Sequence, residues 1–408
     1  MNILFLNAYY KPEKIAYSHL EEDIIASLVE NGHRVEIICP TPSRGIDKAK
    51  RKEYKKRKRE QLYDGKVLVR RFACPKEKSN PIIRAIRYFW CNWREYSISK
   101  KYKNIDCVFA VSTPPTQGLL GVKVAKKLSK KYKKHVSFVY NLQDVFPDSL
   151  VTTGLAKEKS LIWKIGRKIE NNTYNGADKI IVISESMKSN ILAKGVSKEK
   201  VLIVSNWIDT DVIVPVEKDN NELFEQFNIS RDKFVVVYAG NFGKAQGADI
   251  ILQTAELLKE EKDIKFVIFG GGSEFELAKE KAKNMNNVFI HPLLSDKKTA
   301  EVYSLGDVSL ITCKKGVGTS GMPSKTWNIM ACNTPIIASF DTDSELAKIL
   351  DYANAGLCVP PEDAKALASA IIKAKTNKIK NGGREYVIKY ASRANCVEKY
   401  VKEIEKLQ

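Results

Sequence analysis

The sequence predicts an α/β protein of two domains, each built on a mainly parallel sheet. Short apolar runs of strand length alternate with longer amphipathic or charged stretches, as in strand–helix repeats. The alternation stops at a polar stretch, 206–231, and then starts again. The length of 408 residues also exceeds the roughly 250–300 at which a single core stops growing. Apolar strands joined by helices are typical of parallel sheets covered on both faces.

The first series, residues 1–205, contains seven expected strands and five expected helices. The strands are Ile3–Asn7, Val35–Cys39, Val67–Phe72, Cys107–Val111, Val136–Tyr140, Lys179–Ile183 and Val201–Val204. The helices are at about 15–31, 81–101, 115–132, 160–175 and 185–194. We predict that this series forms an N-terminal domain.

The second series, residues 232–383, follows a linker at 206–231 that Pro215 interrupts. Its expected strands are Phe234–Ala239, Phe266–Phe269, Val288–Ile290, Val308–Ile311 and Pro335–Ala338. Helices are expected at about 247–260 and 326–332. A terminal helix at 384–408 follows the completed second domain and could pack back on the first.

The charge is distributed unevenly along the chain. Residues 1–205 carry 41 basic and 20 acidic side chains, whereas the remainder carries 27 and 28. A basic domain attracts the phosphates of nucleic acid or of lipid headgroups. No helix-turn-helix, zinc finger or RNA-binding aromatic signature accompanies the charge, which disfavours nucleic acid.

The sequence also limits the compartment. No run reaches the 18–20 apolar residues of a membrane span, and the first residues do not have the charged leader of a signal peptide. Eight cysteines occur without a C-x-x-C pair, which predicts reduced thiols and neither disulfides nor zinc ligands. We therefore expect a cytoplasmic protein.

Two glycine-rich loops in the second domain suit a diphosphate. The first contains Gly240, Asn241, Gly243 and Lys244, and it joins a strand to a helix. Backbone N–H groups of such a turn can bind phosphate, and the lysine adds charge. The alternative interpretation of this loop is a tight structural turn without a ligand.

The second loop, 316–325, precedes another helix and ends in a lysine. Its hydroxyl and amide donors suit an anion. The candidate binding residues of this loop are Thr319, Ser320, Pro323, Ser324 and Lys325. A third turn with Gly271 and Gly272 follows a neighbouring strand and is expected to line the same crevice.

The order of these motifs resembles family 4 of the retaining GT-B glycosyltransferases, in the branch that builds capsule, O-antigen and colanic-acid-like polysaccharides. The matching segments are G-N-F-G-K-A-Q-G, F-V-I-F-G-G-G, G-T-S-G-M-P-S-K, W-N-I-M-A and P-I-I-A-S. In the first half they are N-A-Y-Y-K-P-E, N-G-H-R-V, S-T-P-P and Q-D-V-F-P-D-S. The resemblance implies the GT-B fold, two Rossmann-like domains facing each other across a cleft.

The resemblance also implies roles for individual residues. Lys244 and Lys325 would neutralise the departing diphosphate, and Asp144 would position or deprotonate the acceptor, unless a leaving-phosphate oxygen takes that proton. Glu13, Gln143 and Asp148 would lie on the acceptor side.

Departures from the family pattern are equally specific. Ser320 and Asn328 occupy positions where many members have glutamates, and Asn328 could still bind a ribose hydroxyl. Gln143 precedes Asp144 where the family has a histidine. Ile15-Ala16 replaces two glycines, and Asn241 replaces a common arginine.

Acidic pairs and histidines suggest no metal site. Asp341-Thr342-Asp343 and Asp209-Thr210-Asp211 fit a D-x-D pattern, but aspartates at strand ends and in linkers are usually turn residues. We expect no metal and no cofactor beyond the nucleotide-sugar. His291 follows a strand and could border the base, or it could be structural.

Two stretches of the first domain are candidates for the acceptor side. Nine of thirteen residues in Lys48–Glu60 are basic, a composition most typical of a solvated loop or helix face. In 81–97, Trp90 and Trp93 recur at helical spacing with Ile86 and Phe89, and Arg84 and Arg87 fall on another side. This composition is typical of an interfacial helix, with core packing as the alternative.

Together these features predict a glycosyltransferase that moves a sugar, with retention, from a nucleotide diphosphate. The expected donor is a UDP-sugar, and the expected acceptor is a lipid-diphosphate-linked saccharide at the inner leaflet of the cell membrane. Two alternatives stay open: a nucleotide-sugar epimerase with the same fold, and a catalytically inactive membrane-binding partner.

Overall fold

The protein is described by a computed structural model that covers residues 1–13, 15, 17–77, 80–152, 156–318, 322–377, 379 and 381–408. The chain divides into two compact units. Unit 1 comprises Met1–Ser205 together with Cys396–Gln408, and unit 2 comprises Asn206–Asn395. The end of the chain therefore returns to the unit in which the chain begins.

Unit 1 is built on an eight-stranded sheet. Its strands are β1 (Asn2–Leu6), β2 (Arg34–Pro40), β3 (Arg59–Leu62), β4 (Val67–Phe72), β5 (Cys107–Val111), β6 (Ser137–Leu142), β7 (Lys179–Val182) and β8 (Val201–Ile203). Its helices are α1 (Ser18–Glu30), α2 (Lys48–Lys56), α3 (Pro81–Ser99), α4 (Thr116–Tyr132), α5 (Asp148–Thr152), α6 (Leu161–Gly176) and α7 (Glu185–Ala193).

The strand order in unit 1 is β3-β4-β2-β1-β5-β6-β7-β8, and only the β3–β4 pair is antiparallel. From β1 the chain first adds strands on one side and then, with β5, on the other. This reversal between β1 and β5 is a topological switch point, where loops at the carboxyl ends of the strands diverge and leave a crevice.

The basic segment Lys48–Glu60 folds as α2 followed by the first residues of β3. Asp47 caps α2 by accepting a hydrogen bond from the Lys50 amide, and no residue of α2 is buried. The segment is thus a solvated helix face, and the charges of the edge strand β3 discourage pairing with another chain. Sequence periodicity missed β3 because this strand has almost no apolar residues.

Unit 2 has a six-stranded parallel sheet. Its strands are β9 (Phe234–Asn241), β10 (Ile264–Gly271), β11 (Val288–Pro292), β12 (Val308–Thr312), β13 (Ile336–Ser339) and β14 (Gly356–Val359). Its helices are α8 (Leu223–Gln226), α9 (Asp249–Leu257), α10 (Phe275–Ala282), α11 (Thr299–Ser304), α12 (Lys325–Ala331), α13 (Glu345–Tyr352), α14 (Ala364–Thr376) and α15 (Gly383–Tyr390). The order β11-β10-β9-β12-β13-β14 places the switch point between β9 and β12.

The terminal segment forms two helices, α15 and α16 (Arg393–Glu405), where the sequence predicted one. Residues 391–393 leave the helix because their backbone pairs with Ile208: the Ile208 amide donates to the Ala391 carbonyl, and the Arg393 amide donates to the Ile208 carbonyl. Within unit 1, α16 packs the Tyr400 ring 6.3 Å from that of Phe109. The last helix therefore completes the core of unit 1.

Among the described residues, no helix is both long enough and apolar enough to cross a bilayer.

Candidate active site

A pocket of about 580 Å³ opens at the switch point of unit 2. Gly240 and Asn241 at the end of β9 and Thr312 at the end of β12 contribute to its wall. Lys325 and Asn328 of α12 line another side. The loops that follow the central strands β9 and β12 run in opposite directions and leave a crevice between them. The position of the crevice therefore follows from the strand order.

The loop after β9 is held against the loop after β10. The Phe242 amide donates to the Gly271 carbonyl at 2.7 Å, and the Glu274 amide donates to the Phe242 carbonyl at 2.9 Å. A Cβ atom on Gly272, whose φ is +120°, would lie 2.2 Å from the Asn241 side-chain oxygen. Gly272 therefore permits this close approach of two loops beside the pocket. A Cβ atom on Gly271 would meet only the Leu293 side chain, at 3.7 Å.

Lys325 projects back across the end of β9. Its ammonium nitrogen lies 4.0 Å from the centroid of the Tyr238 ring, a cation–π geometry. A Cβ atom on Gly240 would lie 2.5 Å from the same nitrogen, so a larger residue there would displace the ammonium from this position. Burial lowers the pKa of Lys325 to about 7. An anionic ligand in the pocket would therefore stabilise the charged form of the Lys325 amine.

Asp341 fixes the loop that leads from β12 to α12. Its two carboxylate oxygens accept hydrogen bonds from the Gly316 amide at 3.0 Å and the Gly318 amide at 2.8 Å. The aspartate of the first D-x-D pattern is therefore used to hold the backbone. In the second pattern, Asp209 accepts from the Asp211 and Val212 amides, as a turn residue does.

Six of the predicted donor-side residues line the pocket: Gly240, Asn241, Pro323, Ser324, Lys325 and Asn328. Thr319 and Ser320 lie outside the described residues. Gly243 and Gly272 belong to neighbouring loops and Gly271 ends β10, and none of the three is in the described lining. Lys244 is also absent from that lining, and its side chain is exposed. The pocket therefore distinguishes the two predicted lysines and incorporates Lys325.

His291 lies on β11 and is not part of the described pocket lining. Its ring centroid lies 4.1 Å from that of Phe227 and 5.7 Å from that of Phe269. Burial lowers the pKa of His291, so the neutral imidazole is favoured. Of these three rings, only Phe269 lines the described pocket, which supports the structural alternative for His291.

Gln143 and Asp144 follow β6 at the carboxyl edge of the unit 1 sheet. Their two amides share the Ser112 hydroxyl oxygen, at 3.0 and 3.2 Å. The Gln143 side chain donates to Asn141 at 3.0 Å, and Asp144 accepts from the Ser149 hydroxyl at 2.9 Å. The Asp144 carboxylate is solvent-exposed and therefore accessible to a substrate hydroxyl.

The other two predicted acceptor-side carboxylates are tied into unit 1. Glu13 is buried and accepts hydrogen bonds from the Ser43 and Arg44 amides at 2.6 and 2.7 Å. Burial raises the pKa of Glu13 against the effect of these amides. Asp148 pairs with Lys194 at 2.7 Å, which links α5 to the residue following α7. Both contacts give these carboxylates structural tasks, and their acceptor roles stay predictions.

The chain matches two family models that together span most of its length. The model of the Glycosyltransferase Family 4 matches residues 22–212, and that of the Glycosyl transferases group 1 matches residues 219–394. The chain is a GT-B glycosyltransferase of family 4.

Relatives of this glycosyltransferase include WbjE of Pseudomonas aeruginosa, itself named a glycosyltransferase. WbjE is 29% identical over 245 residues, which are 59% of this chain and 60% of WbjE. WcaI of Escherichia coli K12, named for colanic acid biosynthesis, is 26% identical over 275 residues, 65% of this chain and 67% of WcaI. The matched region thus covers about three fifths to two thirds of these relatives.

Among solved structures, Anabaena HepE in complex with UDP superposes on this glycosyltransferase with a TM-score of 0.70. The two share 15% identity, and the superposition covers 100% of each chain. This similarity establishes the fold, two Rossmann-like α/β domains.

Helix α3 of the glycosyltransferase presents an aromatic face to solvent. Phe89 is 70% exposed, Trp90 43% and Trp93 54%, so core packing is the wrong interpretation for these rings. The Trp90 indole N–H donates to the Ala73 carbonyl at 3.1 Å, which keeps one edge of the ring against the protein. Exposed aromatic rings of this kind are typical of interfacial helices.

The prediction that Arg87 belongs to the membrane-facing side is wrong. Its side chain is buried, with the guanidinium 5.1 Å from the Tyr9 ring centroid and 3.4 Å from the Ser43 hydroxyl. Helical spacing did place Arg87 away from the rings, but that side of α3 packs on the unit 1 core. Arg84, which is half-buried, stays compatible with a surface role.

Within the described part of the chain, no group of three or more His, Cys, Asp or Glu side chains is arranged to hold a metal ion. All eight cysteines are free, with seven of them buried. In unit 1, Cys74 and Cys91 approach each other to 3.4 Å.

Sequence interpretation missed several residues of the pocket. The sequence pattern places Tyr238 only in an apolar strand, whereas in the structure its ring carries the lysine contact. The pocket is also lined by Leu293, Leu294, Ser295, Asp296 and Thr299, and by Tyr303 of α11 and Phe340 after β13. These residues carry no local motif, and the sequence offers only the position of Leu293 and Phe340 just after predicted strands as a signal.

Proposed function

We propose that this glycosyltransferase transfers a sugar from a UDP-sugar to a hydroxyl of a lipid-diphosphate-linked saccharide in cell-surface polysaccharide biosynthesis. The observation that carries the proposal is the Lys325 ammonium, held beside the glycine turn at Gly240 inside the switch-point pocket. A phosphate bound there would lie close to the Lys325 ammonium and to the backbone of the glycine turn. Positive charge and accessible backbone groups are both typical of diphosphate sites.

Relatives favour uridine as the base and a polysaccharide as the product. HepE binds UDP and UDP-glucose. WcaI is named for the biosynthesis of colanic acid. In this chain the apolar Phe269, Leu293 and Leu294 would pack against the nucleotide, and Asn328 would donate to a ribose hydroxyl. Binding in unit 2 then leaves the sugar to be presented to the acceptor.

The proposed chemistry retains the anomeric configuration. The bond between the anomeric carbon and the diphosphate oxygen breaks, and the acceptor oxygen bonds to the same face of that carbon. The acceptor proton passes to the leaving phosphate oxygen, while Asp144 positions the acceptor hydroxyl. Lys325 stabilises the negative charge that develops on the diphosphate, so the reaction needs no metal ion. Lys244 and the neighbouring amides would add to this stabilisation.

The proposed acceptor is held at an anionic membrane. Its support is the net charge of +21 in residues 1–205, obtained from 41 basic and 20 acidic side chains, and the exposed rings of α3. Each basic residue close to anionic lipid contributes on the order of 1 kcal/mol, and the attraction decays within a Debye length. The glycosyltransferase would therefore act peripherally, at the inner leaflet.

The test is nucleotide release. The full chain is mixed in turn with UDP-, GDP- and ADP-sugars and with a lipid-linked saccharide fraction. We expect UDP to be released only when both a UDP-sugar and the lipid fraction are present, with the product anomer matching the donor anomer by NMR. No release from any donor contradicts a transferase function, and interconversion of the donor sugar without acceptor identifies an epimerase.

A further inference from the structure

Helices α3, α4 and α6 form one layer on unit 1, with α4 packed against both of the others. Their composition is strongly one-sided. The three helices contain only two acidic residues, Glu95 and Glu170, and both are buried. The outward-facing side of the layer therefore presents basic and apolar side chains with no acidic group from these helices.

Helix α6 adds an aliphatic cluster that the sequence analysis did not single out. Leu161 is 74% exposed, Ile162 59% and Ile165 53%. The opposite side of the helix packs inward: Gly166 is buried, and a Cβ atom there would lie 2.7 Å from Pro147. Large exposed aliphatic side chains that lie together mark an interaction surface.

Lysines surround this cluster and cover the helix beside it. The exposed lysines are Lys164 and Lys168 within α6, and Lys157 and Lys159 before it, where the exposed Glu158 lies between the two. On α4, the exposed lysines are Lys123, Lys126, Lys127, Lys130 and Lys131, whereas Leu120, Val124 and Leu128 are buried. The middle helix of the layer thus presents a row of ammonium groups between two helices with exposed apolar side chains.

We infer that the outward side of α3, α4 and α6, the three-helix surface, binds an anionic lipid bilayer, with Leu161, Ile162 and Ile165 inserted as a second apolar contact beside the rings of α3. The inference rests on the proposed membrane-bound acceptor and extends it to α4 and α6. Lysine ammonium groups would meet lipid phosphates, while the aliphatic side chains would reach the acyl boundary.

Charge and side-chain chemistry favour lipid over other occupants. A second copy of the chain would bring an equally basic surface, and like charges repel. Nucleic acid would satisfy the lysines, and the rings of α3 could stack on single-stranded bases, but a nucleic acid offers no apolar layer to the aliphatic side chains at the start of α6. An anionic bilayer satisfies both components because it offers phosphates above an apolar layer.

The experiment measures co-sedimentation of the full chain with phosphatidylcholine vesicles, with and without phosphatidylglycerol. The test variant is Leu161→Ser/Ile162→Ser/Ile165→Ser. The matched control is Leu257→Ser/Leu277→Ser, at two half-exposed leucines of unit 2. We expect the triple variant to lose about tenfold or more in affinity for anionic vesicles, because three inserted side chains are removed. The control variant should bind like the wild type.

Two further variants separate the charge from the apolar contact. Lys123→Gln/Lys126→Gln/Lys127→Gln should weaken binding and reduce its dependence on salt. Trp90→Ala/Trp93→Ala tests the α3 contact of the proposed function. Circular dichroism and UDP affinity should be unchanged in all variants, since the substituted side chains of α4 and α6 are exposed and the nucleotide pocket lies in unit 2.

Each outcome decides between the two proposals. If the α6 variant binds vesicles like the wild type while the α3 variant does not, the inference is overturned and the proposed function stands. Failure of the wild type to bind any vesicle overturns both the inference and the proposed membrane location. A wild-type dimer that the α6 variant converts to a monomer identifies a second copy as the occupant, and displacement of vesicles by single-stranded RNA identifies nucleic acid.

Discussion

The ammonium nitrogen of Lys325 lies 4.0 Å from the centre of the Tyr238 ring. The lysine comes from the first turn of α12 and the tyrosine from β9, so the contact joins the two sides of the switch point. The Tyr238 hydroxyl donates to the Asn241 carbonyl at 2.9 Å, which also fixes the ring relative to the glycine loop. This arrangement places the amine at the pocket before any ligand arrives.

Replacing Lys325 by Ala should weaken UDP binding by about 1.5–3 kcal/mol, the typical value of a hydrogen bond to a charged group. Lys244→Ala, at an exposed residue outside the pocket lining, is the matched comparison and should have a smaller effect. Isothermal titration calorimetry with UDP measures both. Equal losses of affinity in the two variants would show that Lys244 and Lys325 contribute equally to UDP binding.

UDP affinity should depend on pH through Lys325. Its pKa in the free protein is lowered to about 7 by burial, and a bound diphosphate stabilises the charged amine and raises the pKa in the complex. Binding above pH 7 therefore takes up a proton, and the affinity falls as pH rises, by about tenfold per unit where the free amine is neutral.

The control for this pH dependence is Lys325→Arg, because arginine keeps its charge throughout the range. Calorimetry in buffers of different ionisation enthalpy between pH 7.5 and 9 reports the proton uptake. The phosphate groups of UDP are already ionised there, with a second pKa of about 6. An identical slope in the wild type and the arginine variant would show that another group titrates.

Tyr238→Leu should reduce UDP affinity by about 0.5–2 kcal/mol, because the aliphatic side chain removes the ring face under Lys325. Tyr238→Phe keeps the face and should retain most of the affinity. In a Lys325→Ala background, Tyr238→Leu should have little further effect on binding, as a double-mutant cycle would report. Additive losses would mean that the tyrosine acts only through packing.

Activity should persist in EDTA, since Lys325 and not a metal ion is expected to neutralise the diphosphate. Asp341→Asn should raise the KM for the donor, because an amide replaces one acceptor of the Gly316 and Gly318 hydrogen bonds. Added manganese or magnesium should not restore that variant. Loss of wild-type activity in EDTA and its recovery with either metal would instead indicate metal-dependent catalysis.

Asp144→Asn should lower turnover while leaving UDP affinity nearly unchanged, because the residue lies in unit 1 and the proposed nucleotide pocket lies in unit 2. Steady-state kinetics with saturating donor and UDP calorimetry separate the two effects. The neighbouring Ser149→Ala, which removes a hydroxyl donor to Asp144, provides a milder comparison. A loss of UDP binding in Asp144→Asn would contradict an acceptor-side role.

The sequence alone determined the α/β class, most of the strands and the family. Apolar runs such as 234–239 and 266–269 are strands because side chains buried on both faces of a parallel sheet must be apolar. The glycine turns were recognisable because they combine local backbone requirements with a fixed order along the chain. Strands with few apolar residues, such as β3, could not be predicted from apolar runs.

Only the tertiary structure decided which residues share a site. Strand order brought Lys325 and Tyr238 together and left Lys244 outside the described lining. It also buried Arg87 while leaving Trp93 exposed on the same helix. Periodicity gives the faces of an element, but which face is covered depends on packing between residues distant in the chain.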